Sequence, residues 1–200
     1  MKIIPTIIAK NQSEIDTLLK KYKDFKYIQM DIMDGKFVEN KSNWFKLKLP
    51  KNKKFEAHLM INNPEQWIEK NYKQFEVLIP NFERIKNPDK LIKFVKNKDR
   101  KIGFAINPET KINKIKPYLK DLDRILILTV HPGRYGAKFL YSEIKKIKKL
   151  RKIYSKEIEV DGHINSETIK KCKKAGANLF SVGSSLKESK NLKEAIKELK

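Results

Sequence analysis

Short runs of Ile, Val and Phe alternate along the chain with longer segments whose apolar residues recur every three to four positions, and no other feature constrains the fold as much. Eight runs read as strands, at residues 3–8, 27–32, 55–60, 76–79, 101–106, 124–129, 158–160 and 179–182. Helix starts follow most of them. Ser13-Glu14 precedes Ile15, Leu18 and Leu19; Asn63-Pro64-Glu65 and Asn87-Pro88-Asp89 each join an Asn cap to a Pro at the first helical position. Asn107-Pro108-Glu109-Thr110, Ser142-Glu143 and Asn165-Ser166-Glu167 open three more, the last ending at Gly176, and residues 187–199 form a final helix. Residues 38–54 are expected to hold only a short helical turn around Trp44, Phe45 and Leu47. Strand and helix in alternation mean parallel strands joined by helical crossovers. Eight such pairs in 200 residues favour a single closed (β/α)8 TIM barrel domain over residues 1–200, with an open doubly wound sheet as the alternative.

Composition narrows the partners. With 46 Lys+Arg against 24 Asp+Glu the net charge is +22, a value that raises the question of nucleic acid. Only five of the basic residues are Arg, and the lysines are spread in pairs along the chain, without an aromatic-interleaved patch. That texture suits solvated helix faces, or a field drawing in small anions such as sugar phosphates, and calls for no specific nucleic acid. At 40% hydrophobic the chain is too apolar for wholesale disorder, and no run approaches the length of a membrane span. The N-terminal stretch turns polar too soon for a signal peptide, and the lone Cys172 forms no internal disulfide, so a cytoplasmic protein is expected.

In a barrel of this kind chemistry gathers at the C-terminal ends of the strands. Asp31 and Asp161 end the second and seventh strands, roughly opposite one another, where one carboxylate could take a proton from one face of a carbon and the other return it to the opposite face. The plainer account of either Asp alone is a cap or a lysine partner. His58, ending the third strand, completes a mixed N and O ligand set suited to Zn²⁺, Mn²⁺ or Fe²⁺, although a lone His there also fits a hydrogen-bonded core residue. Gly133, Gly136 and Gly183 let backbone N–H groups approach a phosphate, with Ser184 and Ser185 as hydroxyl donors; ordinary turns are the other reading of each glycine.

The run from Met30 through Asp31, Met33-Asp34-Gly35 and Phe37-Val38 to Asn40 resembles the signature of the ribulose-phosphate 3-epimerase family. His58-Leu59-Met60 with Asn63-Pro64-Glu65, Thr129-Val130-His131-Pro132-Gly133, and Glu159-Val160-Asp161-Gly162 followed by Gly183-Ser184 extend the likeness nearly end to end. The resemblance implies a phosphate-binding barrel that inverts C3 of ribulose 5-phosphate through an enediolate, with metal assistance, working in the cytoplasm as a homo-oligomer. It makes Asp31 and Asp161 catalytic acid, base and metal ligands, and His58 a further ligand. It places Thr6, Met33, His58, Met60, Gly133, Gly136, Gly162, His163, Gly183 and Ser184 against the substrate. Several positions depart from the family. Gln29 stands at the fourth ligand position, where the family has His, and an amide oxygen is a poorer ligand for zinc-like ions. His163 replaces a glycine, Arg134 and Tyr135 replace Phe-Gly, Ala137 replaces Gln, and no His follows the fourth strand. These departures leave a second reading, a phosphosugar-binding barrel with lost or altered catalysis.

Overall fold

A computed structural model describes residues 1–133 and 136–200, and Arg134 and Tyr135 lie outside the described residues. Nine strands form in chain order: β1 (Lys2–Ile7), β2 (Tyr27–Asp34), β3 (Lys41–Ser42), β4 (Lys54–Met60), β5 (Val77–Pro80), β6 (Lys101–Ile106), β7 (Arg124–Leu128), β8 (Glu157–Asp161) and β9 (Leu179–Val182). All but β3 are parallel, and β1 pairs with both β9 and β2, which closes the ring. The result is a (β/α)8 barrel, and the open sheet is excluded. No described helix is long and apolar enough to cross a membrane.

Strand alternation sorts the side chains into two cores. Outward-facing residues such as Ile28, Met30, Ile125 and Ile127 pack against the helices in one large cluster, while Ile4, Val77, Ile79, Leu126, Leu128 and Leu179 make a smaller one. On β2 the same period leaves Gln29 and Asp31 fully or almost fully buried. The strand interior therefore carries polar residues where only packing would be needed for stability.

Among the described residues seven α-helices cover the barrel: α1 (Gln12–Lys21), α2 (Pro64–Asn71), α3 (Pro88–Lys96), α4 (Ser142–Arg151), α5 (Ser166–Ala175), α6 (Ser184–Lys187) and α7 (Leu192–Glu198). Asn87 caps α3 as expected, whereas Asn63 makes no side-chain cap bond and α1 is capped by Asn11, ahead of Ser13. Asn165 and Thr168 form a reciprocal capping box on α5, and Gly176 ends it with φ 112°, a conformation that favours glycine.

Two expected helical segments are absent. After β6, Asn107-Pro108 opens only a pair of 3₁₀ turns, Ile112–Lys114 and Lys116–Tyr118. Pro117 explains this, because it lacks an N–H and its ring obstructs the preceding turn of an α-helix. Between β2 and β4 there is no helical turn at Trp44; β3 pairs antiparallel with the end of β2 instead. Asn43 sits there at φ 51°, outside the helical region, and its Nδ2 donates to the carbonyls of Ile7 and Asp31 at 2.8 and 2.9 Å. The final expected helix, 187–199, forms only from Leu192 as α7, capped by Asn191, and the short α6 that precedes it was not expected.

Candidate active site

β2 and β4 run parallel in a register that sets Asp31 beside His58, and β7, β8 and β9 set Leu128, Asp161 and Ser181 side by side. Barrel closure then brings Asp161 to the same imidazole. Nδ1 of His58 lies 3.4 Å from Oδ1 of Asp31 and 3.5 Å from Oδ2 of Asp161. The ligand atoms of these three residues all lie within 4.8 Å of one another, and the group could hold a metal ion.

The imidazole is aimed from behind. Its Nε2 lies 3.2 Å from Oδ1 of Asn81, at the end of β5, and Nδ2 of Asn81 donates to Oδ1 of Asn107 at 2.9 Å. With Nε2 committed to an acceptor, Nδ1 faces the carboxylates; it is buried and makes no hydrogen bond among the described residues. An orphaned imidazole nitrogen between two carboxylates is the donor set a divalent cation fits, with the other ring nitrogen fixed by an outer partner. Burial opposes a charge on His58, but Asp161 and Asp31 outweigh it and raise its pKa to about 10. Burial, followed by the charge of Asp161, raises Asp31 to about 6.

Above this group opens a cavity of about 350 Å³. Thr6, Met33, Met60, Gly133, Gly136, Gly162, His163, Gly183 and Ser184 line it together with Asp31, His58 and Asp161, so every residue that the family resemblance set against the substrate meets here. Thr6 Oγ1 is buried without a hydrogen-bond partner among the described residues, a hydroxyl left for something in the cavity. Ser185 is the exception, since its hydroxyl donates to the carbonyl of Ile164 at 3.0 Å. Gln29 does not reach the cavity. It lies fully buried below it, with its Nε2 on the carboxylates at 2.8 and 2.7 Å.

The walls are shaped by backbone that few residues tolerate. Gly162 has φ 116°, and a Cβ there would meet Val130 Cγ2 at 2.6 Å. The next residue, His163, is also left-handed at φ 52°, with its carbonyl held by Thr168 Oγ1 at 2.9 Å. Asn40 donates to the Gly133 carbonyl, which ties the loop before β3 to the loop after β7. Asp34, although in the family-like run, serves the loops: its carboxylate accepts from the N–H groups of Lys36, Phe37 and Asn62. Sequence reasoning overlooked Asn81, which holds His58 from behind, and Ser181, Lys10, Lys41 and Lys187, which line the cavity. The two polar residues were detectable as strand-end or inward positions; their partners were not.

The profile of the ribulose-phosphate 3 epimerase family matches residues 2–187. The chain belongs to the ribulose-phosphate 3-epimerase family. Ribulose-phosphate 3-epimerase of Bacillus subtilis is 30% identical over 213 residues, covering 100% of this chain and 98% of the relative. The enzyme of that name from Methanocaldococcus jannaschii is also 30% identical, over 100% of this chain and 90% of its own. In three dimensions the chain is similar to 3-hexulose-6-phosphate synthase from Salmonella typhimurium, with a TM-score of 0.70 over 100% of this chain and 96% of the other. At 14% identity that likeness is one of fold.

Proposed function

We propose that this protein is an epimerase that inverts C3 of ribulose 5-phosphate to give xylulose 5-phosphate. The observation that carries the reading is the meeting of Asp31 and Asp161, from β2 and β8, around one buried imidazole at the base of the cavity. One carboxylate removes the proton from C3, the substrate becomes an enediolate, and the other carboxylate delivers a proton to the opposite face. Asp31, raised to about 6, is suited to hold the proton that is delivered, and in the reverse reaction the two exchange roles. Proton exchange with water restores the starting state.

Asp31, His58 and Asp161 would hold a divalent ion, Zn²⁺, Mn²⁺ or Fe²⁺, whose contribution when bound is to stabilise negative charge on the substrate oxygens. Met33 and Met60, each almost fully buried, would present polarizable sulfur to the carbon skeleton, and Thr6 its hydroxyl. The phosphate would sit among the backbone of Gly133, Gly136, Gly162 and Gly183 and the hydroxyl of Ser184, with His163 at the rim and Lys10 and Lys187 supplying positive charge. A homo-oligomer in the cytoplasm completes the proposal, and neither nucleic acid nor membrane is part of it.

The test is solvent deuterium exchange into ribulose 5-phosphate followed by NMR, with and without each of the three metals. Label at C3 and accumulation of xylulose 5-phosphate are expected. Asp31→Asn and Asp161→Asn should each lose turnover by at least about a hundredfold while remaining folded. The competing reading, binding without turnover, draws on His163 intruding where the family has glycine; it requires phosphosugar binding with no exchange at C3 in folded protein.

A further inference from the structure

The interior below the cavity is a chain of polar contacts that continues the site downward. Gln29, Ser181, Glu159, Glu56 and Arg124 are all at least 98% buried. Nε2 of Gln29 donates one proton to Oδ1 of Asp31 at 2.8 Å and the other to Oδ2 of Asp161 at 2.7 Å. Oε1 of the same amide accepts from Ser181 Oγ at 2.7 Å. Ser181 Oγ also points at Oε1 of Glu159 at 2.5 Å, so its one proton has two acceptors, and Oε2 of Glu159 accepts from Nη1 of Arg124 at 2.8 Å. Every atom of the Gln29 amide is thus engaged, with the donors facing up and the acceptor facing down.

The opposite orientation is unfavourable. It would put Oε1 against the two carboxylate oxygens and withdraw both N–H donors from them. An amide N–H has no lone pair to offer a cation. A second observation agrees: Nδ1 of His58 is the buried nitrogen left without a hydrogen bond at the carboxylates, so one neutral donor is already supplied by another residue.

We infer that Gln29 is a positioning residue that clamps Asp31 and Asp161 to one another by donating to both, and that it is not a metal ligand. The family's fourth ligand position has become a hydrogen-bond donor in this chain, and a divalent ion is held by Asp31, His58 and Asp161 without it. The inference concerns the carboxylates and not the substrate, so it stands whether or not ribulose 5-phosphate is turned over.

Two readouts on the full chain test it, neither of them activity. The first is Zn²⁺ and Mn²⁺ affinity, measured by competition with a chromophoric chelator, together with the melting temperature of metal-free protein. Gln29→Ala should lower the melting temperature of the metal-free protein and weaken metal binding as loss of an outer partner does, about 10- to 100-fold, and Gln29→His should bind Zn²⁺ at least about tenfold more tightly than Gln29→Ala. An unchanged melting temperature of the metal-free Gln29→Ala protein would mean that no clamp exists and overturn the inference. The second readout needs no variant that might misfold. In protein labelled with ¹⁵N at glutamine side chains, both Gln29 amide protons should exchange slowly with water and stay hydrogen-bonded on addition of Zn²⁺. Fast exchange in the metal-free protein, or release of both protons from the carboxylates on adding Zn²⁺, overturns it.

Discussion

His58 and Asn81, twenty-three residues apart, meet at the ends of neighbouring strands with Nε2 3.2 Å from Oδ1. This contact decides which imidazole nitrogen faces the carboxylates, because the ring cannot offer Nδ1 to a cation while Nδ1 carries the proton that Nε2 needs to donate. Asn81→Leu should therefore weaken divalent metal binding by about 10- to 100-fold, and Asn81→Asp, which keeps an acceptor, should recover most of the loss. Isothermal titration of the two variants with Zn²⁺ checks this.

Proton binding at His58 makes the metal-free protein sensitive to pH. Its folded pKa of about 10 exceeds the 6.5 of an ordinary imidazole, so the folded chain binds the proton more tightly than the unfolded one. The resulting stability is complete below pH 6.5 and disappears as pH rises toward 10. Thermal unfolding across that window should show a falling melting temperature that flattens in His58→Gln. An identical slope in the variant would assign the effect elsewhere.

Arg124 lies at the far end of the interior, where its guanidinium meets Glu56 and Glu159 and, at 3.0 and 2.7 Å, Glu157. Removing it leaves buried carboxylates unpaired, so Arg124→Met should cost about 3–5 kcal/mol in urea unfolding. Glu56 behaves differently. Burial and the charge of Glu159 raise its pKa well above the usual value, which lowers the cost of a neutral side chain there, so Glu56→Gln should cost much less in urea unfolding than Arg124→Met.

His163 occupies a left-handed backbone position that favours glycine by roughly 1–2 kcal/mol, offset by the roughly 0.5–1 kcal/mol of extra chain entropy that glycine loses on folding. His163→Gly should be neutral or about 1 kcal/mol more stable. A side chain retained against that balance has a use at the cavity rim, so KM for the phosphorylated ketose should rise severalfold with kcat little changed. Equal KM values in the two proteins would reduce His163 to a turn residue.

Much of this protein is legible along the chain. The runs at 101–106 and 179–182 coincide with β6 and β9, and the other six barrel strands differ from expectation only at their ends. Asp31, His58 and Asp161 could be chosen because each lies in the C-terminal part of a strand, and those parts share one face of a parallel barrel. Period-two alternation and helix caps are local signals, and local signals survive in a linear reading. They failed where tertiary demands prevailed: Asn43 gave up a helical turn to bond the backbones of β1 and β2, and Pro117 reduced a crossover to 3₁₀ turns.

What only the closed barrel decided is which inward-facing residues meet. Gln29 reads from the sequence as a weakened ligand, yet its partners are Asp161 and Ser181, 132 and 152 positions away. Asn81 reads as a missing histidine, and it orients His58 instead. Alternation determines that these side chains face inward. Ring closure, strand stagger and side-chain length determine whom they touch, and those depend on all eight strands at once.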